Sequence, residues 1–111
     1  MAITIKNAYA DQPAAAATTL YTCPAGTVSR VLKCTTTNDT TSVITFKAYK
    51  VPSGQAAGDA YLILNDKALG SKETYECPEV VGQILDASDF IVFHPSAATQ
   101  LSVLLDVVEI V

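Results

Sequence analysis

The sequence has no tryptophan, one histidine, one methionine, three cysteines and only five glycines in 111 residues. Each shortage removes a class of function. The glycines are scattered, so no glycine-rich loop is present to cradle a phosphate. The single histidine, His94, sits in Phe93-His94-Pro95. A general base needs a nucleophile and an orienting acid beside it. Ser96 is close in sequence, but nothing around it resembles a strained nucleophile turn. His94 reads as a rim residue at a strand end. Cys23, Cys34 and Cys77 are spaced by 11 and 43 residues and form no Cys-x-x-Cys pair, so they do not suggest a zinc site. Their odd number argues against a disulfide framework, and all three read as small buried apolar residues.

Charge is also scarce, at 16 % of residues, with a net of −4. A nucleic-acid binder carries a basic patch because counterion release drives that contact, and none is visible here. All seven bases lie at or before Lys72, and seven of the eleven acids lie after it. Strand pairing is expected to intermix these blocks rather than leave an acidic docking end. The longest uncharged stretch, residues 12–29, contains Pro13, Pro24, Gly26 and many threonines, which excludes a membrane span. The opening Met-Ala-Ile-Thr-Ile-Lys lacks a basic, then apolar, secretory pattern. The expectation is a chain made and folded in a reducing cytoplasm.

Acidic side chains occur in two tempting groups. Asp86, Ser88 and Asp89 supply too few ligands for calcium and fit better as a turn bonded to its own backbone. Glu73, Glu76 and Glu79 read as solvated charges beside a proline turn rather than a facing catalytic pair. The tyrosines Tyr9, Tyr21, Tyr49, Tyr61 and Tyr75 are expected to be large core residues or interface anchors, not a sugar-stacking platform. No catalytic, cofactor or metal residue is therefore assigned, and no partner-binding residue can be named. The chain is expected not to be an enzyme.

What is present is a folded-domain composition, 50 % hydrophobic, in short threonine- and valine-rich runs closed by turn residues. Runs at 3–6, 17–23, 27–36, 42–50, 60–64, 73–77, 90–94 and 101–110 read as strands. No run keeps a 3.6-residue period. Residues 101–110 look like the longest strand, with Leu101, Val103, Leu105 and Val107 on one face. Leu104, Val108 and Ile110 add apolar character to the other. Pro24-Ala25-Gly26 is expected to join two strands as a hairpin-like unit, and Asn65-Asp66 to form a turn. Val43 breaks the alternation of 42–50, which suggests a strand covered on both faces. The segment 7–16 reads as an arm. The expected fold is all-β: a two-sheet antiparallel β-sandwich or jelly-roll-like barrel over residues 17–111, with an N-terminal strand and arm over 1–16.

Two turn motifs carry a resemblance. Leu20-Tyr21-Thr22-Cys23-Pro24-Ala25-Gly26-Thr27 opens one, and Leu85-Asp86-Ala87-Ser88-Asp89 forms the other. A weak echo, Tyr75-Glu76-Cys77-Pro78, repeats part of the first. The pair resembles the small β-sandwich structural proteins of tailed-bacteriophage virions. Ser88 replaces a glycine of that pattern, so this turn need not take a positive φ. Length and layout resemble the capsid decoration, or staple, proteins of epsilon-fifteen-like short-tailed phages. The resemblance implies a cement on the virion surface, assembled in the host cytoplasm. Its expected partners are the major capsid protein and a second copy of itself, as a homodimer or other self-association, without nucleic acid or membrane. A tail- or fibre-associated sandwich and a carbohydrate-binding module are the alternatives.

Overall fold

The computed structural model describes residues 2–111. In chain order the strands are β1 (Ile3–Asp11), β2 (Thr18–Thr22), β3 (Val28–Asn38), β4 (Ile44–Val51), β5 (Leu62–Leu69), β6 (Thr74–Tyr75), β7 (Ile84–Leu85), β8 (Phe90–Pro95) and β9 (Leu101–Ile110). A short 3₁₀ turn, Asp59–Tyr61, precedes β5. The chain is an all-β sandwich of two antiparallel sheets. The first sheet runs β1-β9-β3, with β6 and β7 both paired to the far edge of β3. The second runs β2-β8-β4-β5.

Side-chain alternation along each strand decides which residues meet in the middle. β9 turns Leu101, Val103, Leu105 and Val107 inward, and all four are fully buried. β3 buries Ser29 and Val31, then Cys34, Thr36 and Asn38. That change of parity needs one extra residue, and the register shift between Val31 and Lys33 supplies it. Across the gap, β8 and β4 contribute Phe93 and Phe46, both fully buried, with ring centroids 5.2 Å apart.

Several expected boundaries move. The first strand does not stop at Lys6 but pairs with β9 as far as Asp11, bending at a register shift between Asn7 and Tyr9. Half of the expected arm, residues 7–11, is thus edge strand, leaving 12–17 as the connection; Met1 lies outside the described residues. β2 and β3 are not a hairpin: they belong to opposite sheets, and the turn at 24–26 crosses between them. The Asn65-Asp66 turn is absorbed into β5, because Asp66 takes a φ of 51° and the ladder with β4 shifts there. The expected strand 73–77 contracts to β6. Cys77 leaves it with a φ of 45°, and a proline follows. β3, at 11 residues, is longer than β9. Val43 is exposed and precedes β4, but the strand is covered on both faces at its far end, where Tyr49 and Val51 are buried in a second cluster.

Ser88 adopts a φ of 70°, close to the 71° of Gly26, so this turn keeps the left-handed geometry without a glycine. The two turn motifs meet in space. Cys23 N–H donates to Asp89 O and Ser88 N–H donates to Cys23 O, both at 2.8 Å.

Polar ties hold both ends of the sandwich. At one end the fully buried Asn38 sits where the chain leaves the first sheet for the second. Its Nδ2 donates towards Ser42 O (2.7 Å), Gly70 O (3.0 Å) and Leu69 O (3.1 Å). Its Oδ1 accepts from the N–H and hydroxyl of Thr40. At the other end Tyr21 reaches from β2 across to the first sheet. Its hydroxyl donates to Glu109 Oε2 at 2.5 Å and lies 2.7 Å from Ser29 Oγ. Lys6 Nζ approaches the same carboxylate at 3.2 Å.

Two predictions follow from these ties. Asn38→Asp replaces the donor with a carboxylate facing three carbonyls, and should cost about 3–5 kcal/mol. Thr40→Ala should cost nearer about 1 kcal/mol; urea denaturation of both variants checks the ranking. The Tyr21 hydroxyl, with Lys6, holds the Glu109 carboxyl below its ordinary value. A depressed folded-state pKa gives stability that is present above the ordinary value of 4.5 and lost as pH falls through the folded value. Thermal melts from pH 6 to pH 3 should therefore fall less steeply for Glu109→Gln than for the native chain.

Candidate protein-docking face

The titratable groups singled out from the sequence stay apart. His94 lies on β8 opposite Lys47 of β4, and Ser96 Oγ accepts from the Thr45 N–H. Glu73 accepts from the Gly70 N–H at 2.6 Å, while Glu79 accepts from the Tyr75 hydroxyl at 2.6 and 2.8 Å. Burial and that hydrogen bond push the Tyr75 phenol up to about 12. Asp89 accepts from the N–H groups of Asp86 and Ser53, as a turn bonded to backbone does. Among the described residues no three His, Cys, Asp or Glu side chains converge as a metal site would require. Cys23, Cys34 and Cys77 are all buried free thiols. The tyrosines are dispersed. Tyr21 and Tyr49 are buried, whereas Tyr9, Tyr61 and Tyr75 are half-buried in separate surroundings. Of the three ion pairs found among the described residues, Lys6–Glu109 joins the basic first part to the acidic remainder. Lys47–Asp66 and Lys72–Asp39 lie within the first part.

The unusual surface is the outer face of the first sheet. Directly opposed residues share a face, so the register builds two adjacent rows. One is Ile3–Ile110–Val28. The next is Ile5–Val108–Arg30–Ile84. Arg30 is the only polar member. Ile5 is 72 % exposed and Ile3 61 %. Val111, just beyond β9, is also exposed, as is Leu104 further along it. The corner presents on the order of 500 Å² of apolar surface, the upper range for a patch on a protein that works alone.

The second sheet treats its outer face differently. Tyr49, Val51 and Val92 point outward from it, but Ala57, Tyr61 and Leu62 pack over them. The loop after β4 is thus folded back as a lid. Among the described residues nothing covers the matching corner of the first sheet. β1 is also the open edge of that sheet. Its edge is blunted only by Lys6 and the register shift near Ala8. Beyond the far edge of β3, between β6 and β7, Leu32, Lys33, Glu76, Pro78 and Val81 line a depression of about 370 Å³.

Comparison with protein-family models, with curated proteins and with solved structures finds no match in any of the three. The docking face therefore stands on its own geometry. Sequence reading missed Ile3, Ile5, Val28 and Ile84 as surface residues. The available signal was the apolar outward series Leu104, Val108 and Ile110 on β9, a strand whose other face already fills the core.

A residue that supports no fold contact can be changed cheaply. Ile5→Ser should alter stability by less than about 0.5 kcal/mol, while clearly reducing retention on a hydrophobic-interaction column. A matched Val92→Ser change beneath the lid should instead lower the melting temperature.

Proposed function

We propose that the chain is a structural virion protein that binds the outside of an assembled phage capsid and stabilises contacts between major capsid subunits. The uncovered apolar corner of the first sheet is the observation that carries the docking part of this reading. Apolar surface left exposed beside a polar residue such as Arg30 is what a protein-docking surface needs. The two turn motifs support the phage assignment, through their resemblance to virion sandwiches. The strand order adds to it. If β6 and β7 count as one interrupted strand, two four-stranded sheets interleave as in a jelly roll, a fold used in viral capsid domains. Fold likeness alone does not fix function, so the docking surface bears the weight.

In this reading the corner formed by Ile3, Ile5, Val28, Ile84 and Ile110 seats on the shell. The exposed area is a little over half of the roughly 800 Å² per partner that a standard interface buries. Loops and the depression beside Lys33 and Glu76 would extend the footprint. The open edge of β1 supports self-association of two copies on the shell, by strand addition.

Quantitative mass spectrometry of purified virions tests the assignment. The expected ratio of this chain to the major capsid protein is one to one or another large fraction. A few copies per particle would favour a tail or fibre location, and absence would turn attention to glycan binding. On shells lacking the chain, Ile5→Lys should bind about 10- to 100-fold more weakly than the native protein, since burying an isoleucine is worth about 1.5–3 kcal/mol. A Thr45→Lys control on the second sheet should bind normally.

A further inference from the structure

The β3–β6 ladder carries a consequence for two of the cysteines, and it is independent of what the docking face binds. Thr37 pairs with Thr74 and Thr36 with Tyr75, and the Asn38 N–H donates to Glu73 O in the same register. Cys77 lies two residues past Tyr75, just beyond the end of that ladder, and packs in the same buried core cluster as Cys34. A disulfide needs Cα atoms about 4.4–6.8 Å apart, and the two thiols are near enough to hydrogen-bond to each other. Both side chains turn inward and are fully buried. The Thr36 hydroxyl lies 3.3 Å from Cys77 Sγ. Cys23 has different neighbours: its Sγ lies 3.1 Å from Ser29 Oγ and 3.3 Å from Thr27 O.

We infer that Cys34 and Cys77 form a dithiol site that closes to an intrachain disulfide when the protein meets an oxidising small-molecule disulfide. The chemistry balances with oxidised glutathione as the oxidant. The Cys77 thiolate attacks one sulfur of oxidised glutathione and expels a glutathione thiolate. The Cys34 thiolate then attacks Cys77 Sγ of the mixed disulfide and expels the second. One S–S bond is consumed and one is made. The two protons lost by the cysteines end on the two glutathione thiols.

The order of attack follows from the surroundings. Interaction between the two thiols is the largest influence on each. It raises the Cys34 thiol, with burial adding to the effect, and lowers the Cys77 thiol against the opposing effect of burial. Cys77 is also the more easily uncovered, because it opens the irregular link between β6 and β7, whereas Cys34 lies inside the longest strand. Its φ of 45° shows that the link is already bent sharply at that point. A 34–77 bond would fasten the link, which carries Val81 and leads into Ile84, to the middle of β3.

The test is refolding of the full chain from urea in glutathione redox buffers, which makes the outcome an equilibrium and not a question of access. Intact mass and peptide mapping then identify the bonds. The expected result is a single species with Cys34 joined to Cys77, the Cys23 thiol free, and a melting temperature raised by on the order of 10 °C. Dithiothreitol should reverse the shift, and Cys23→Ser should leave bond formation unchanged. Folded protein that keeps all three thiols in oxidising buffer would overturn the inference. So would a bond to Cys23, or mixed disulfides that never resolve.

Discussion

The arrangement depends on how the chain passes from one sheet to the other without leaving backbone groups stranded. Asn38 provides the answer at the β3–β4 corner. A buried carbonyl without a donor costs about 1–3 kcal/mol, and the buried carbonyl of Leu69 points at this corner together with the partly buried ones of Ser42 and Gly70. One primary amide serves all three, while its oxygen takes the Thr40 N–H and hydroxyl. A hydrophobic residue would fill the space and take the amide donor away from the Leu69 and Gly70 carbonyls. The corner therefore fixes the end of β3, the start of β4 and the end of β5 relative to one another. The Phe46–Phe93 pair can then pack between sheets whose separation is already set.

Tyr21 plays a different part at the opposite end. It crosses the sandwich from β2 and ends on Glu109 and Ser29, which belong to β9 and β3. Its phenol ring fills core volume while its hydroxyl satisfies polar atoms that the first sheet turns inward. A core with no tryptophan needs such residues, since few other side chains combine bulk with a polar tip. The Cys23–Asp89 and Ser88–Cys23 backbone bonds sit beside it and join the two turn motifs. Their pairing in space gives a physical reason for them to occur together in one sequence.

Much of this was legible from residue order alone. The strict alternation of Leu101, Val103, Leu105 and Val107 located the central strand of the first sheet, and short threonine-rich runs with turn punctuation announced an all-β sandwich. The bends were harder to see. A bulge is a one-residue change of parity, and nothing in Val31-Leu32-Lys33 marks it before the partner strand is known. Asp66 and Ser88 adopt left-handed geometry that glycine usually signals, so β5 looked broken and the 86–89 turn looked ordinary. The uncovered apolar corner was hidden for a related reason. Val51 and Val92 are aliphatic like Ile3 and Ile5, and only the path of the loop after β4 decides which pair is covered.

The positions of β8 and β9 have a consequence for biosynthesis. Each is an interior strand, lying between β2 and β4 or between β1 and β3. The strands made earlier thus have no hydrogen-bonded neighbour on one side until residues 90–110 emerge from the ribosome. A nascent chain cannot acquire its sandwich piecemeal, because each sheet is completed by an element translated late. Such wide sequence separation between partners favours slow folding. During that interval the long β3 is open to association with other chains. A chaperone that shields it would govern how much protein reaches the folded state.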